Sequence, residues 1–409
     1  MFTPAQAIDR LRALPEGPFV MRQVAQSPGS WVVGGAVRDA LLGRAPRELD
    51  LVVEGDPAPL IHALGGSVVA HERFGTATVT LDARAAGGGS GPVRVDVARA
   101  RTETYAEPGA LPEVQEATLA QDLCRRDVSV NAIALRPGAE GAIPELRHVP
   151  GAVEDLDAGV LRVLHQGSFR DDPTRLWRVA RYAARLGFTV HGDTAALAAR
   201  ADPTTVTGVR LGNELRLALR ERDPLAALRA AASLNGRLLP AQVDLNPRRL
   251  APALALAPVG ARADLMTLAA CCGPVDAAEL VGWLADLGFS GAELEIVAAG
   301  SRASTYMPLH QAVSGSQIAR AARGAPLEIV ALAGGAQAER WISELRHVRL
   351  QVTGSDLLAA GVPEGPSVGR LLAQLLDLRL DGTLEAGREP ELTAARALAQ
   401  TAHAGGTDG

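Results

Sequence analysis

The stretch "WVVGGAVRDALLGRAPRELDLVV", residues 31–53, decides the fold of the first part of the chain. An apolar run enters a Gly34-Gly35 turn, a helical pattern follows as far as Gly43, and a second apolar run begins after two closely spaced acids. This order of strand, turn, helix and strand predicts an α/β domain. Paired glycines let backbone N–H groups approach an anion, and Arg38 lies one turn into the helix. The pattern indicates a phosphate site, although a plain tight turn explains the glycines alone equally well.

Three carboxylates in this region indicate a metal site. Glu48 and Asp50 would face the same side of the second strand, where two acids repel each other unless a cation lies between them. Asp96 lies inside a further strand pattern, "VRVDVA", between two valines. If that strand lies beside the one that carries Asp50, the three acids converge and suit two Mg²⁺ ions roughly 4 Å apart. The alternatives are a solvated strand entrance and an acid on an exposed edge strand.

Composition limits the classes of function. The chain has 409 residues and a net charge of −5, and all 41 of its basic residues are arginine. Every basic contact with a phosphate must therefore come from a planar guanidinium, and a nucleic-acid partner would need local arginine clusters. Three cysteines and eight scattered histidines predict neither a disulfide framework nor a zinc site. Without an apolar leader or a membrane-length apolar run, the sequence predicts a soluble, cytoplasmic protein.

The distribution of strand and helix patterns predicts two kinds of architecture. Short strands alternate with helices up to about residue 136, and "TATVTLDA" and "VRVDVARA" alternate as paired strands do. From about residue 150 the strand signals stop, and helices rich in Ala and Leu follow. We expect an α/β head with a mixed sheet and a long all-α remainder. The glycine-rich segment 85–91 predicts a hairpin loop without chemistry, and the last residues predict a disordered end.

Two further motifs carry charged residues. "DLCRRDVSVNAIAL" (122–135) places Arg-Arg-Asp before an apolar run, where a structural salt bridge is the plain explanation. "FRDDPTRLWRVARYAARLGF" (169–188) predicts an amphipathic helix that begins near Pro173, with an apolar stripe and an arginine face. A solvated arginine face is the simplest interpretation of this helix. Alternatively, Asp172 and Arg175, one turn apart, could present an acceptor and a donor to the edge of a base.

Together these motifs resemble those of the class II tRNA nucleotidyltransferase and bacterial poly(A) polymerase family. The shared patterns are G-G-x-V-R-D-x-L-L-G with its spaced acids, R-R-D-x-x-x-N-A-I-A, and D-D-P-x-R-L-x-R-x-x-R-x-x-x-x-L-G-F. Residues 208–219 resemble the next helical motif of the family, and residues 354–382 resemble its tail. The resemblance implies a polymerase-β-like mixed sheet followed by an all-α neck, body and tail. The implied domains are a catalytic head (1–143), a neck (144–205), a tRNA-binding body (206–345) and a tail (346–409).

The resemblance also implies a role for each matching residue. Glu48 and Asp50 would bind Mg²⁺, with Asp96 as the third catalytic carboxylate. Asp172 and Arg175 would read the Watson–Crick edge of the incoming base, and Arg210 and Glu214 would support the base-reading helix. The residues implied to bind the nucleotide are Gly34, Gly35, Arg38, Arg126, Asp127, Asn131, Asp172, Arg175, Arg178 and Arg181.

The activity implied by the resemblance is template-independent addition of C, A or both to the 3′ end of tRNA. CTP and ATP would be the substrates, Mg²⁺ the cofactor and tRNA the partner, with no membrane or obligatory protein partner. Enzymes that build the whole CCA end, part of it, or a poly(A) tail share these motifs. The segment 102–121 has no clear periodicity and is the candidate mobile lever that lets a pocket switch bases. The Arg-dense segment 210–249 is the candidate tRNA footprint, and a solvated helix surface explains much of it equally well.

One position departs from the family pattern. The metal-binding pair is usually D-x-D, whereas this chain has Glu48-Leu49-Asp50. A glutamate moves its carboxylate by about one bond length but supplies the same oxygens, so an active enzyme is the favoured interpretation. A catalytically silent RNA-binding protein is the alternative. A dinucleotide-binding oxidoreductase is disfavoured, because the glycines do not form G-x-G-x-x-G.

Overall fold

The computed structural model describes residues 2–46, 48–71, 75–82, 91–138, 142–303 and 306–404. The chain divides into two compact units, residues 1–239 and 240–409. Most of the glycine-rich segment 85–91, and the end of the chain beyond residue 404, lie outside the described residues.

All strands that the structure describes lie in the first unit. They are β1 (Ser30–Val33), β2 (Leu49–Val53), β3 (Ser67–His71), β4 (Thr76–Asp82), β5 (Pro92–Arg99), β6 (Arg101–Thr104), β7 (Glu113–Glu116), β8 (Ile133–Arg136), β9 (Glu145–His148), β10 (Val160–Leu161) and β11 (Thr189–Val190).

A seven-stranded mixed sheet forms the centre of this unit, in the order β3-β4-β5-β2-β1-β8-β9. Only β2 and β5 pair in parallel, and their register places Asp50 beside Asp96. The flanking residues Leu49, Leu51 and Val97 are buried, so the two aspartates share the opposite face of the sheet. On its other side β5 pairs with β4 in the predicted antiparallel arrangement. The predicted mixed-sheet α/β head is confirmed.

The helices of the first unit cover this sheet and continue beyond it. Gly43 follows α3, near the predicted end of that helix, and the capping box of Thr118 with Gln121 starts α5. The helices are α1 (Pro4–Arg12), α2 (Gly17–Gln26), α3 (Gly35–Leu41), α4 (Ala58–Leu64), α5 (Leu119–Cys124), α6 (Ala152–Ala158), α7 (Ser168–Asp171), α8 (Arg175–Leu186), α9 (Gly192–Arg200), α10 (Gly208–Leu219) and α11 (Pro224–Leu234).

Two strand pairs differ from the sequence-based expectation. β10 and β11 form a short parallel pair after residue 150, where the strand signals were expected to stop. Two residues are too few to produce an alternating pattern, so this pair leaves no periodic signal. β6 pairs with β7 in antiparallel fashion, so the candidate lever segment 102–121 contains regular structure that its composition did not predict.

The second unit is helical throughout its described residues. Its helices are α12 (Leu250–Leu256), α13 (Ala263–Cys271), α14 (Ala277–Asp286), α15 (Gly291–Ser301), α16 (Met307–His310), α17 (Gly315–Ala322), α18 (Leu327–Ala333), α19 (Gly335–Ser343), α20 (Gly354–Ala359), α21 (Pro366–Leu380) and α22 (Arg388–Ala404). Alanine- and leucine-rich helices form its interior: α13 is buried along most of its length, and Leu357, Leu375 and Ala395 join α20, α21 and α22 in one apolar cluster. The predicted all-α remainder is confirmed for this part of the chain. Among the described helices, none has the length and apolar character that crossing a membrane requires.

Candidate active site

A polar cavity of about 860 Å³ in the first unit collects the predicted site residues. Its wall includes the glycine turn before α3, the end of α5 and the residues after it, and one side of α8 and α10. Every predicted nucleotide-binding residue lines it, and so do both predicted metal ligands. Asp96 is the predicted site residue that does not.

The glycine turn lies in contact with an arginine. Gly34 has φ +69°, a conformation that favours glycine, and a Cβ atom at this position would lie 2.9 Å from Nη1 of Arg126. Nη2 of Arg126 donates to the buried carboxylate of Asp122 at 3.1 Å. Nε of Arg126 is buried and has no hydrogen-bond partner in the part of the chain that the structure describes. A cation with an unpaired buried donor beside a side-chain-free turn is suited to an anionic ligand.

Arg38 forms part of the floor of the cavity. The residue is only 2% exposed, and its guanidinium donates to Oδ1 of Asn131 at 2.6 Å and to Asp39 at 2.8 Å. Asn131 in turn donates to Asp127 at 3.0 Å. These bonds join α3 to the motif at residues 122–135 and hold Arg38 in a single orientation at the cavity.

The acidic residues do not converge as three. Asp50 and Asp96 are register partners, and the hydroxyl of Thr78 donates to Asp96 at 2.6 Å. Glu48 is exposed and precedes β2, because the strand begins at Leu49. Within the described ranges, no three His, Cys, Asp or Glu side chains are grouped closely enough to hold a metal ion. The expectation of three converging carboxylates is therefore wrong for this structure.

A divalent cation nevertheless fits the charge balance at Asp50. The pKa of Asp50 is raised to about 6, mainly by burial and also by the nearby charges of Asp96 and Glu48, while Arg126 and Arg178 partly offset the rise. A carboxylate that is disfavoured in this way gains from a bound cation. Mg²⁺ commonly takes one or two carboxylates from the protein and further oxygens from substrate phosphates, so a preformed set of three is not required.

Asp127 organises the centre of the site. One of its oxygens accepts from Nε and Nη2 of Arg178, at 2.8 and 2.6 Å, and from the hydroxyl of Tyr182 at 2.9 Å. The other oxygen accepts from Asn131 and from the backbone N–H of Val128. Burial alone would raise the pKa of Asp127, but Arg178 and these hydrogen bonds hold it well below its usual range. Asp127 is thus a saturated acceptor that positions Arg178 and Tyr182.

The start of α8 presents the pair that was predicted to read a base. Oδ1 of Asp172 accepts from Thr174, through its backbone N–H at 3.1 Å and its hydroxyl at 2.7 Å, and from Arg210 at 3.0 Å. Oδ2 of Asp172 accepts nothing from the described residues. Arg175 is 5% exposed and uses one N–H on Ser168 and one on the carbonyl of Arg125. A guanidinium has five N–H groups, so donors remain.

The arginine face of α8 is not solvated. Arg181 donates to Glu214 at 2.6 Å and to Glu221 at 3.2 Å, and Arg185 donates to Glu221. Arg181 and Glu221 are both buried. The interpretation as an ordinary amphipathic helix with a solvated face is wrong, because α10 and the residues after it supply carboxylates to that face. Arg210 and Glu214 make the supporting contacts that the resemblance implied.

Sequence reasoning missed several residues of the cavity wall. Tyr182 lies one helical turn after Arg178, and burial, with Asp127, raises its pKa to about 12, so its hydroxyl stays a donor. The turn-spacing from Arg178 is a signal that could have found it. Glu103 and Tyr105 come from the candidate lever segment and also line the cavity. No signal in a single sequence distinguishes them from solvated loop residues.

Comparisons with known proteins identify the relatives of this chain. Residues 30–162 match the model of the poly(A) polymerase head domain. The CC-adding tRNA nucleotidyltransferase of Deinococcus radiodurans is 36% identical over 94% of this chain and 97% of that protein. The A-adding tRNA nucleotidyltransferase of Geobacter sulfurreducens is 33% identical over 91% of this chain, which spans only 45% of that protein's length. A solved CCA-adding enzyme in an apo form has a TM-score of 0.75 at 25% identity, over 96% of this chain and 98% of that one.

The mixed-sheet head and its arginine-rich cavity define a nucleotidyltransferase. More narrowly, the chain belongs to the tRNA nucleotidyltransferase family, a family of enzymes, which confirms the resemblance of its motifs.

Proposed function

We propose that this protein adds C, A or both, from CTP and ATP, to the 3′ end of tRNA without a nucleic-acid template. The named relatives support this class of reaction, since they are CC-adding and A-adding tRNA nucleotidyltransferases. The proposal extends the reaction of those relatives to the cavity of this chain.

The observation that carries the proposal is the pair Asp172 and Arg175 in the same cavity as Asp50 and the glycine turn. Asp172 keeps an acceptor oxygen, and Arg175 keeps donors. Cytosine and adenine each present an amino donor beside a ring-nitrogen acceptor on the Watson–Crick edge, which is complementary to this pair. Uracil and guanine present a carbonyl acceptor beside a ring N–H. In the same pose, either base would place an acceptor against Asp172 and a donor against Arg175. The pair therefore selects C and A by charge and hydrogen bonding.

The reaction is an in-line displacement at the α-phosphorus of the nucleotide. The terminal 3′ hydroxyl oxygen of the RNA forms a bond to phosphorus and gives up its proton to water. The bond to the bridging oxygen of the β-phosphate breaks, and pyrophosphate leaves with that electron pair. Arg126 and Arg178 lie in the cavity as positive charges for the phosphate oxygens. Because Asp122 and Asp127 hold these two arginines in place, little reorganisation is needed when negative charge develops on the phosphate.

Asp50, Asp96 and Glu48 are the residues that would hold divalent ions, which we propose to be two Mg²⁺. When bound, such ions lower the pKa of the attacking hydroxyl and neutralise charge on the phosphates. The in-register pair Asp50 and Asp96 supports one such position. Glu48, exposed and outside the strand, has the freedom to turn its longer side chain toward the same phosphates.

We further propose that the domains follow the family pattern, with a head (1–143), a neck (144–205), a body (206–345) and a tail (346–409). The body and tail would bind tRNA by shape and by phosphate contacts, with the Arg-dense segment 210–249 as part of that surface. Poly(A) tailing is a second candidate, because the head matches the poly(A) polymerase head domain.

Incorporation of labelled CTP and ATP into three tRNAs, ending at the discriminator base, at C and at CC, tests the function. Use of CTP on the first two substrates alone indicates CC addition, use of ATP on the third alone indicates A addition, and all steps indicate full CCA synthesis. Runs of A indicate poly(A) tailing. Absence of product with every tRNA and divalent ion would leave a catalytically silent RNA-binding protein and contradict the proposal.

Substitutions then test the assigned roles in the same assay. Asp172→Ala and Arg175→Ala should reduce the preference for C and A over U and G more than they raise the KM for the triphosphate. Glu48→Asp should retain activity, whereas Glu48→Ala should lose most of it. An unchanged base preference in the first two variants would contradict the role of the pair.

A further inference from the structure

The segment between β5 and α5 contacts residues of the site through the turn that contains Gly109. Gly109 lies in that turn, its backbone N–H donates to the carbonyl of Arg170 at 3.1 Å, and its own carbonyl accepts from Arg210 at 3.1 Å. A Cβ atom at Gly109 would lie 2.3 Å from the carbonyl oxygen of Thr205, and its φ is +73°. Arg210 also donates to Asp172, so the turn and the base-reading residue share one guanidinium.

Within this segment Glu103 is a buried acceptor for several donors. Its side chain is 7% exposed. Oε1 accepts from Nη1 of Arg125 at 2.8 Å and from Arg101 at 3.0 Å, and Oε2 accepts from the hydroxyl of Tyr105 at 2.9 Å. Tyr105 lines the cavity, and burial together with Glu103 raises its pKa, so the phenol remains protonated and continues to donate. Removing a buried charge that is paired in this way leaves its partners unsatisfied.

Arg125 connects Glu103 to the base-reading pair. Its side chain is held between two carboxylates. Nη1 donates to Glu103, Nη2 and Nε donate to Asp122 at 2.7 and 3.1 Å, and Nε also donates to the carbonyl of Arg101 at 3.0 Å. Its backbone carbonyl accepts from Nη2 of Arg175 at 2.8 Å. The position of that carbonyl is one of the two protein contacts that orient the guanidinium of Arg175, and the other is Ser168.

We propose that Glu103 is a positioning residue for base selection, which acts by fixing Arg125 and through its carbonyl the orientation of Arg175. This inference rests on the proposed function. Arg126 and Arg178 do not contact Glu103 among the described contacts. Asp122 and Asp127 hold them, so we expect both to keep their positions toward the triphosphate when Glu103 is changed. The effect of Glu103 is therefore expected on the choice of base and not on affinity for the phosphates.

The decisive experiment compares Glu103→Gln with wild type and with Glu113→Gln, which changes an exposed glutamate on the paired strand β7. The ratio of kcat/KM for CTP or ATP to that for UTP and GTP is measured on the tRNA that wild type extends. We expect Glu103→Gln to lower this ratio about tenfold, a loss typical of one charge-assisted hydrogen bond, while the KM for the correct triphosphate changes less than twofold. Glu113→Gln should match wild type in both quantities.

Two further variants separate positioning from a purely structural role. Tyr105→Phe removes one donor to Glu103 and should lower the ratio by a smaller factor, which keeps the test available if Glu103→Gln does not fold. In an Arg175→Gln background, Glu103→Gln should cause no additional loss of selectivity, because both substitutions act through the guanidinium of Arg175.

A uniform fall in rate with all four nucleotides, or additive losses in the double variant, would overturn the proposal. If wild type extends no tRNA, the proposed function fails; if wild type selects bases and Glu103→Gln selects them equally well, only this inference fails.

Discussion

The two units of the chain use charged side chains in opposite ways. In the first unit, buried residues include Arg38, Asp122, Asp127, Arg175 and Arg181. Within the described part of the second unit, Glu391 is the only charged residue buried to the same degree. Its carboxylate accepts from two backbone N–H groups, of Gln351 and Val352, and thereby holds the chain before α20.

This difference in buried charge distinguishes the first unit, which contains the candidate site, from the second unit, which is stabilised as a scaffold. Burial of a charge costs free energy that pairing only partly offsets, so apolar packing is the simpler way to stabilise a helical unit. The second unit follows that route with alanine and leucine. Apart from Glu16 and Asp155, the buried charges of the first unit lie at one cavity or hold arginines in fixed positions around it, an arrangement that preorganises a site for an anionic ligand.

The largest expected effect separates activity from stability. Asp50→Ala should lower nucleotide incorporation at least about 1,000-fold, because it removes a carboxylate at the proposed metal position. The free energy of unfolding, measured by urea titration with EDTA present, should not fall, since the substitution relieves repulsion with Asp96 and Glu48. Asp286→Asn, an exposed acid of the second unit, is the control and should change neither quantity. Retained activity in Asp50→Ala would show that the metal position is misassigned.

A second prediction compares a buried carboxylate from each unit. Asp127→Asn should lower the free energy of unfolding by about 3 kcal/mol, because Arg178 loses its buried partner. It should also raise the KM for the triphosphate. Glu391→Gln should destabilise by about 1 to 3 kcal/mol and leave that KM unchanged, since its carboxylate binds backbone N–H groups and forms an ion pair with Arg379 of the same unit at 3.4 Å. Equal effects of the two variants on KM would break the distinction between site and scaffold.

A third prediction uses two glycines with nearly the same φ, although ψ is −133° at Gly34 and 25° at Gly187. Gly34 has φ +69° and Gly187 has φ +71°, but only Gly34 has an atom within 3 Å of the added Cβ. Gly187→Ala should lose about 1 to 2 kcal/mol of stability from backbone strain, and Gly34→Ala at least as much, because its ψ of −133° lies outside the left-handed helical region. Gly34→Ala should in addition raise the KM for the triphosphate severalfold, because it displaces Arg126. The comparison fails if Gly187→Ala raises that KM equally.

The smallest expected effect is a dependence of the free energy of unfolding on pH. The pKa of Asp127 is below its usual range in the folded protein, so its contribution to stability is complete above about pH 4, the range of an unfolded aspartate. That contribution declines as the pH falls from there toward the lowered folded value. The difference in unfolding free energy between wild type and Asp127→Asn should therefore narrow below about pH 4. Urea titrations at pH 3 and pH 6 measure it, and a difference that widens at pH 3 would contradict this account.

Local pattern was sufficient for the outline of the fold, and the resemblance to the family motifs indicated most residues of the cavity wall. The turn at Gly34, the pairing of the strands around Asp96 and the helix after Pro173 follow from periodicity and helix signals within a few residues. The short strands β10 and β11 escaped detection because two residues carry no period. The three-acid cluster was wrong although β2 and β5 pair as expected, because Glu48 precedes β2 and Asp96 does not line the cavity that Glu48 and Asp50 share.

The sequence by itself indicated which residues are candidates for chemistry, through motifs that resemble those of the family, although each pattern also allowed a structural explanation. Tertiary structure decided which of them face a ligand and which serve other side chains. Asp127 and Arg38 are residue types that commonly bind ligands. In the structure, however, Asp127 accepts from Arg178 and Arg38 donates to Asn131. Glu103, unremarkable in sequence, becomes buried beside Arg125. The physical reason is that a hydrogen bond depends on distance and direction in space, and partners such as Glu103 and Arg125, 22 residues apart in the chain, meet only when the sheet and helices are assembled.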